Sequence, residues 1–254
     1  MKRYLLLILI ALITVSCETK TLTDSDDNLI SHNEVQSNHY VKDDIDISYP
    51  FFARGGSINE LIKEEALKIM ELFDGVRQYM LDIHYEVTYF NSKTINIKYY
   101  GEFYNEGTYP SSVFYTTNID LESRKKIKLA DSIVIDSEFI DTFRNGKLVS
   151  IDDIELEKEI RSYLSNFTNE QLIQHFSKAD TMDSSNRLNV YSYLGESTLG
   201  ISVGVPHALG DYAIFEISRT QSGDQEKEDR QEEEDEKSSK VVGRSDPMLP
   251  YYTG

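Results

Sequence analysis

The chain has 254 residues, no tryptophan, a single cysteine and a formal net charge of −18 at neutral pH. An acidic balance of that size excludes nucleic acid as a natural partner and draws basic partners instead. One cysteine excludes an intramolecular disulfide, and five scattered histidines offer no pair at zinc-ligand spacing.

At the amino terminus, MKRYLLLILIALITVSC sets Lys2 and Arg3 ahead of an apolar run from Tyr4 to Val15, broken only at Thr14. A positive start, a short apolar stretch and a small Ser16 make this an export signal. Its 12 apolar-run residues fall short of the ~20 that span a bilayer. Thr14-Val15-Ser16-Cys17 resembles a bacterial lipobox, with Thr14 where leucine is usual. That resemblance implies that residues 1–17 hold the signal and that Cys17 becomes the lipidated first residue of the mature protein. The protein is then anchored on the extracytoplasmic side of a cell membrane or outer membrane. Residues 18–45 are polar, acidic and without apolar periodicity, and are expected to form a disordered tether. Residues 221–254, of low complexity with a net charge of −5, are expected to be a disordered acidic tail.

The ordered region opens with Ser57-Ile58-Asn59-Glu60, which has the spacing of a capping box. Ile58, Leu61, Ile62, Ile69, Leu72 and Phe73 then mark one face of a helix over 58–73 that ends near Gly75. The period next drops to two. Ile83, Tyr85, Val87 and Tyr89 alternate with polar residues, and Ile95, Ile97 and Tyr99 do so after the Asn91-Ser92-Lys93 turn. A third strand follows Asn105-Glu106-Gly107, carrying Val113, Tyr115, Thr117, Ile119 and Leu121. Short loops make this an antiparallel β-meander, one face packed on the helix and the other partly wet.

The second half mixes helices and strands again. DSEFIDTFRNG is expected to be a short helix closed by Gly146, Ser150 to cap a helix through Tyr163, and Thr168-x-x-Gln171 to open a helix to Phe176. Strands return in NVYSYLG, TLGISVGV and YAIFEI, with Leu199, Ile201, Val203 and Val205 on one face. The fold class is α+β: two intimately joined α/β halves, residues 46–121 and 122–220, in one compact unit.

There is no nucleophile elbow, metalloprotease helix, P-loop or dinucleotide fingerprint. Asp152, Asp153, Glu155, Glu157 and Glu159 are spaced as the first turn and wet face of a helix. No metal site or cofactor is expected, and no catalytic residue. The alternative is an enzyme acting on cell-wall glycans with His207 as base and Asp211 as its orienter, both in a loop. A structural lipoprotein without a soluble ligand is a further reading. Among the 17 tyrosines, alternation puts Tyr85, Tyr89 and Tyr99 inward and Tyr100 and Tyr104 outward. Tyr100, Tyr104, Tyr109 and His207 are the candidate binding face.

The order of these segments resembles the paired extracytoplasmic module of RsiV-type anti-sigma factors and PdaC-type peptidoglycan deacetylases, over residues 46–218. The residues carrying it are Asp120, Leu121, Ser123, Lys125, Leu129 and Asp131 in one hairpin, then Val205, Pro206, His207, Ala208 and Gly210. Gly107-Thr108-Tyr109 departs from the Gly-Ala-His common in relatives, and Arg124 stands where the hairpin usually has glycine. The resemblance implies a PdaC-like first half, an RsiV-like second half and a stand-alone, non-catalytic lipoprotein. It also implies a ligand such as lysozyme, a basic protein, or peptidoglycan. Only three residues precede Tyr4 and no catalytic domain follows the module, so neither a signalling anti-sigma factor nor a deacetylase is expected.

Overall fold

The computed structural model describes residues 35–151, 153–182 and 188–219. The export signal, Cys17, the tether up to residue 34 and the acidic tail lie outside the described residues, as does Asp152. Residues 35–45 correct the expected tether. Val35–Lys42 is β1, paired antiparallel along its whole length with β2, Ile45–Phe52. An edge strand is held by its backbone ladder. The exposed side chains of β1 therefore give no apolar signal, while β2 carries the buried Ile47, Tyr49 and Phe52.

Helix α1, Ser57–Leu67, follows β2 and continues as a 3₁₀ helix over Lys68–Phe73. The expected Ser57/Glu60 capping box does not form. Gly56, at φ 44°, is the N-cap, and the Ser57 hydroxyl accepts a 3.2 Å hydrogen bond from Arg124 instead. Asn59 fixes the entry by accepting from the Phe52 amide at 2.9 Å and donating to its carbonyl at 2.7 Å.

Strands β3 (Tyr79–Phe90), β4 (Thr94–Asn105), β5 (Ser111–Asp120) and β6 (Lys125–Ile127) form the expected antiparallel meander. With the β1–β2 hairpin they make a six-stranded sheet in sequential order. Its one parallel pairing, β2 with β3, is the crossover that α1 spans. In the β5–β6 turn Arg124 sits at φ 55°, the left-handed region that glycine enters without penalty.

Helices α2 (Leu129–Ser132), α3 (Ser137–Arg144), α4 (Ile154–Ser165) and α5 (Asn169–Phe176) come next. The Thr168/Gln171 capping box of α5 is present, with both bonds made. Ser150 does not cap α4: Asp153 does, accepting from the Glu155 and Leu156 amides, and the Ser150 hydroxyl accepts from Ile214 N of the adjoining sheet. That sheet has four antiparallel strands in the order β7-β10-β9-β8, comprising Lys147–Leu148, Tyr212–Ser218, Thr198–Gly204 and Tyr191–Leu194. Leu199, Ile201, Val203 and Val205 are all buried in its core with Phe143, Ile160 and Phe176 of the helices. The α+β class holds.

The far side of the meander is drier than expected at β5, because β5 is buried on both faces. Val113, Tyr115, Thr117 and Ile119 alternate toward α1, where Tyr115 donates to the Ala66 carbonyl at 2.7 Å. Phe114, Thr116 and Asn118 alternate toward β8 of the second sheet.

At the centre of this seam lies Asp180, fully buried at φ 61°. Its Oδ1 accepts from Ser192 N at 2.7 Å and Thr116 Oγ1 at 3.1 Å; its Oδ2 accepts from Ser192 Oγ at 2.7 Å and Leu129 N at 2.8 Å. Burial pushes this carboxyl up, opposed by the Ser192 and Leu129 hydrogen bonds and the Lys126 charge. Each donor left unpaired in a buried site costs about 1–3 kcal/mol. Asp180→Ala is therefore expected to lower the unfolding free energy by about 3 kcal/mol or more in urea titration, and Asp180→Asn by about 2. A loss under about 1 kcal/mol for either would mean the seam is held elsewhere.

Glu65 is the second buried carboxylate, paired with Lys68 of its own helical stretch and with Lys126 of β6 at 2.6 Å. Burial alone would push it up, but Lys126 and Lys68 outweigh that and hold it below its ordinary 4.5. A depressed carboxyl binds its proton more weakly folded than unfolded. Its stabilisation is thus present above 4.5 and is lost as pH falls through the folded value. Below pH 4.5 the wild-type melting midpoint should fall more steeply than that of Glu65→Gln. The two profiles should run parallel from about pH 6 to 8, where Glu65 stays ionised in both states. Asp180 titrates in both proteins and so drops out of the comparison.

Candidate functional site: an acidic, aromatic sheet face

The outward tyrosines belong to a face of β3 and β4 that neither α1 nor the second sheet fully covers. Period-two alternation puts Lys98, Tyr100, Glu102 and Tyr104 on one side of β4. Their cross-strand partners on β3 are Glu86, His84, Asp82 and Met80. Tyr100 and Tyr104 are each 37% exposed and Met80 53%, a partly wet apolar surface. Gly101 permits the close strand approach: a Cβ there would lie 1.9 Å from the Asp82 carbonyl oxygen.

The charges on this face are unbalanced. Lys98 is taken by Glu86 at 2.7 Å, its Nζ 5.9 Å from the Tyr100 ring centre. Asp82 and Glu102 stand directly opposite one another. Among the described residues no lysine or arginine pairs with either; His84 Nε2, 3.7 Å from Asp82, is the nearest basic group. Like charges placed opposite across a ladder repel.

The β9–β10 loop reaches the rim of this face. His207–Leu209 forms a 3₁₀ turn, Gly210 takes φ 100° and Asp211 φ 70°. Asp211 approaches His207 Nδ1 at 3.0 and 3.1 Å, while its Oδ2 accepts from Ser112 N of β5 at 2.7 Å. The His207/Asp211 pair is thus a latch that ties the loop to the start of β5. No serine, threonine or cysteine is hydrogen-bonded to His207 among the described residues. Asp82, His84, Tyr100, Glu102, Ser112 and Tyr212 surround a depression of about 330 Å³ beside it. Burial, then the neighbouring Tyr100 and Asp211, push the Tyr212 hydroxyl up, so it remains a neutral phenol.

Of the residues expected to form a binding face, Tyr100 and the His207 loop are drawn together through Ser112 and Tyr212. Tyr104 lies four residues along β4 from Tyr100, on the same side. Tyr109, 85% exposed in the β4–β5 turn, has no ring contact or hydrogen bond joining it to the others. Of the inward tyrosines, Tyr99 is fully buried and stacked on Tyr115, while Tyr85 and Tyr89 are only half-buried. Sequence reasoning missed Asp82, Glu102 and Tyr212. The parity of β3 and β4 could have found the first two; Tyr212 arrives from another sheet and leaves no local signal.

The acids of α4 have structural work. Asp153 caps it, Glu155 pairs with Lys158 at 2.7 Å and Glu157 with Arg161 at 2.7 Å. Among the described residues no group of three or more His, Cys, Asp or Glu side chains is placed to hold a metal.

No protein-family model matches the chain, and no curated protein matches it in sequence. Among solved structures it is similar to a DUF3298 family protein from Pseudomonas aeruginosa PAO1, at 10% identity and a TM-score of 0.39. It is also similar to a member of the DUF3298 family from Bacteroides fragilis NCTC 9343, at 15% identity and a TM-score of 0.39. Each comparison covers 73% of this chain and 89% of the other. Likenesses at this level assign neither family nor activity.

If Asp82 and Glu102 repel across the ladder, Asp82→Asn should stabilise the free protein. A rise of about 1–2 °C in melting midpoint is expected at low salt, shrinking as salt is added. An unchanged or lower midpoint would mean the two carboxylates cost the fold nothing.

Proposed function

We propose that this chain is a non-catalytic binding domain, lipid-anchored through Cys17 on the extracytoplasmic side of a bacterial membrane. Its ligand is a basic protein of the envelope, lysozyme being the type, or a cell-wall glycan. The observation that carries the reading is the Asp82/Glu102 pair, held among the described residues without a lysine or arginine partner beside the exposed rings of Tyr100 and Tyr104. A fold keeps an uncompensated pair where a ligand supplies the missing cation, and aromatic rings beside it suit an arginine or lysine stem. The net charge of −18 steers such a partner toward the domain.

The glycan-hydrolase reading of His207 and Asp211 finds less support. Both Asp211 oxygens are engaged, by His207 and by the Ser112 amide, in a contact that positions a loop.

Calorimetry with lysozyme at two salt concentrations tests the docking face. Binding should weaken at least tenfold between about 20 and 200 mM salt, and a similar amount in the Asp82→Asn/Glu102→Gln variant. Equal binding by wild type and variant would remove the face. No binding to lysozyme or peptidoglycan fragments at low salt would remove the function. Intact-mass analysis of the native amino terminus should find acylated Cys17, and an unmodified thiol would remove the anchor.

A further inference from the structure

A second cavity, of about 320 Å³, opens between the two halves of the molecule. Phe73 and Phe103 stand on one side, stacked at 3.9 Å between ring centres; Tyr212 and the Asp211 carboxylate come from the other half. Its lining also contains Tyr191 and Ser202, cross-strand partners on β8 and β9, 3% and 1% exposed. Neither hydroxyl makes a side-chain hydrogen bond among the described residues. The two hydroxyls therefore stand side by side on the cleft wall with no side-chain partner among the described residues. Burial and the nearby Asp180 charge push the Tyr191 hydroxyl far up, so it remains neutral and can both donate and accept.

We infer that this inter-half cleft is a binding site for a single uncharged sugar ring. Aromatic walls suit the apolar C–H faces of a pyranose, while Tyr191, Ser202 and Asp211 offer its hydroxyls neutral donors and acceptors and one anionic acceptor. Among the described residues no lysine or arginine lines the cleft, so an anionic ligand would meet Asp211 without a counter-charge. The volume lies at the small end of ligand pockets, about 300–1,000 Å³, which fits one ring rather than a long chain. A larger, more open hollow of about 830 Å³ runs beside the 3₁₀ helix, but its polar lining is of charged surface groups such as Glu64, Glu71 and Asp74. The cleft shares Ser112 and Tyr212 with the docking face, yet the inference does not depend on a basic partner.

The test is a nuclear magnetic resonance titration of the full chain with methyl glucoside and N-acetylglucosamine, with glucuronate as the anionic control. Either uncharged sugar should shift the Tyr191, Ser202 and Gly204 amides saturably at concentrations of order 10 mM, where a millimolar site fills. Glucuronate should bind at least fivefold more weakly. Tyr191→Phe and Ser202→Ala should each weaken sugar binding about fivefold while leaving the free protein's melting midpoint nearly unchanged, because neither hydroxyl is bonded to another described side chain. The inference is overturned if neither sugar moves these amides, if the variants bind like wild type, or if glucuronate binds as well. It is also overturned if either variant melts several degrees lower, which would make the hydroxyl a structural one. Lysozyme binding bears on none of these outcomes.

Discussion

The Asp180 carboxylate is the constraint on which the rest of the molecule depends. It gathers donors from β5, β8 and the start of α2, elements that would otherwise meet only through apolar contact. Around it Asn118 donates to the Ser192 carbonyl at 2.9 Å, and Asn96 accepts from the Leu194 amide at 3.0 Å. Apolar packing tolerates sliding; a set of directional bonds with a buried charge at the centre does not. The seam therefore fixes the register of one sheet on the other, and everything at their junction inherits that register.

What inherits it is the geometry of the sheet face and the cleft. Because Asp211 accepts from Ser112 N, the β9–β10 loop is tied to β5, which carries Tyr212 to the edge of the Tyr100 depression. The left-handed backbone at Asp211 and the opposed carboxylates of Asp82 and Glu102 both cost stability locally. Asp211 is held by His207 and the Ser112 amide, but Asp82 and Glu102 have no lysine or arginine partner among the described residues, whereas Glu65 is flanked by two lysines. Glu86, Glu155 and Glu157 face outward yet have a lysine or arginine partner, which sets the Asp82/Glu102 pair apart from them.

Residues with a local signature were legible in the sequence. The meander showed itself through alternation in β3, β4 and β5, and α5 through Thr168 and Gln171, because each depends on neighbours within a few positions. Ser57 and Ser150 misled for a shared reason: a serine before an apolar run looks like a cap, yet tertiary partners, Arg124 and Ile214, claimed both hydroxyls. β1 was invisible because it is held chiefly by backbone pairing, with only Val35 and Tyr40 packed on the core. The parity of Tyr100 and Tyr104 pointed outward correctly, but the acids beside them count only once the register sets Asp82 opposite Glu102. Asp180 leaves no local signal, because two of its four donors, Thr116 and Leu129, lie more than 50 residues away in sequence.

Neither half holds the candidate sites alone. Tyr100, Asp82, Glu102 and Phe103 come from the first sheet; Tyr191, Ser202, Asp211 and Tyr212 come from the second. A ligand in the cleft would touch both and so would favour the closed seam over any arrangement in which the sheets separate. The coupling also runs the other way. Whatever loosens the bonds around Asp180 moves Tyr191 and Ser202, since Ser192, which donates to that carboxylate twice, is the next residue along β8. Stability of the seam and occupancy of the cleft are therefore two readings of one equilibrium, and the pairing of two halves becomes a requirement of the site rather than an accident of the fold.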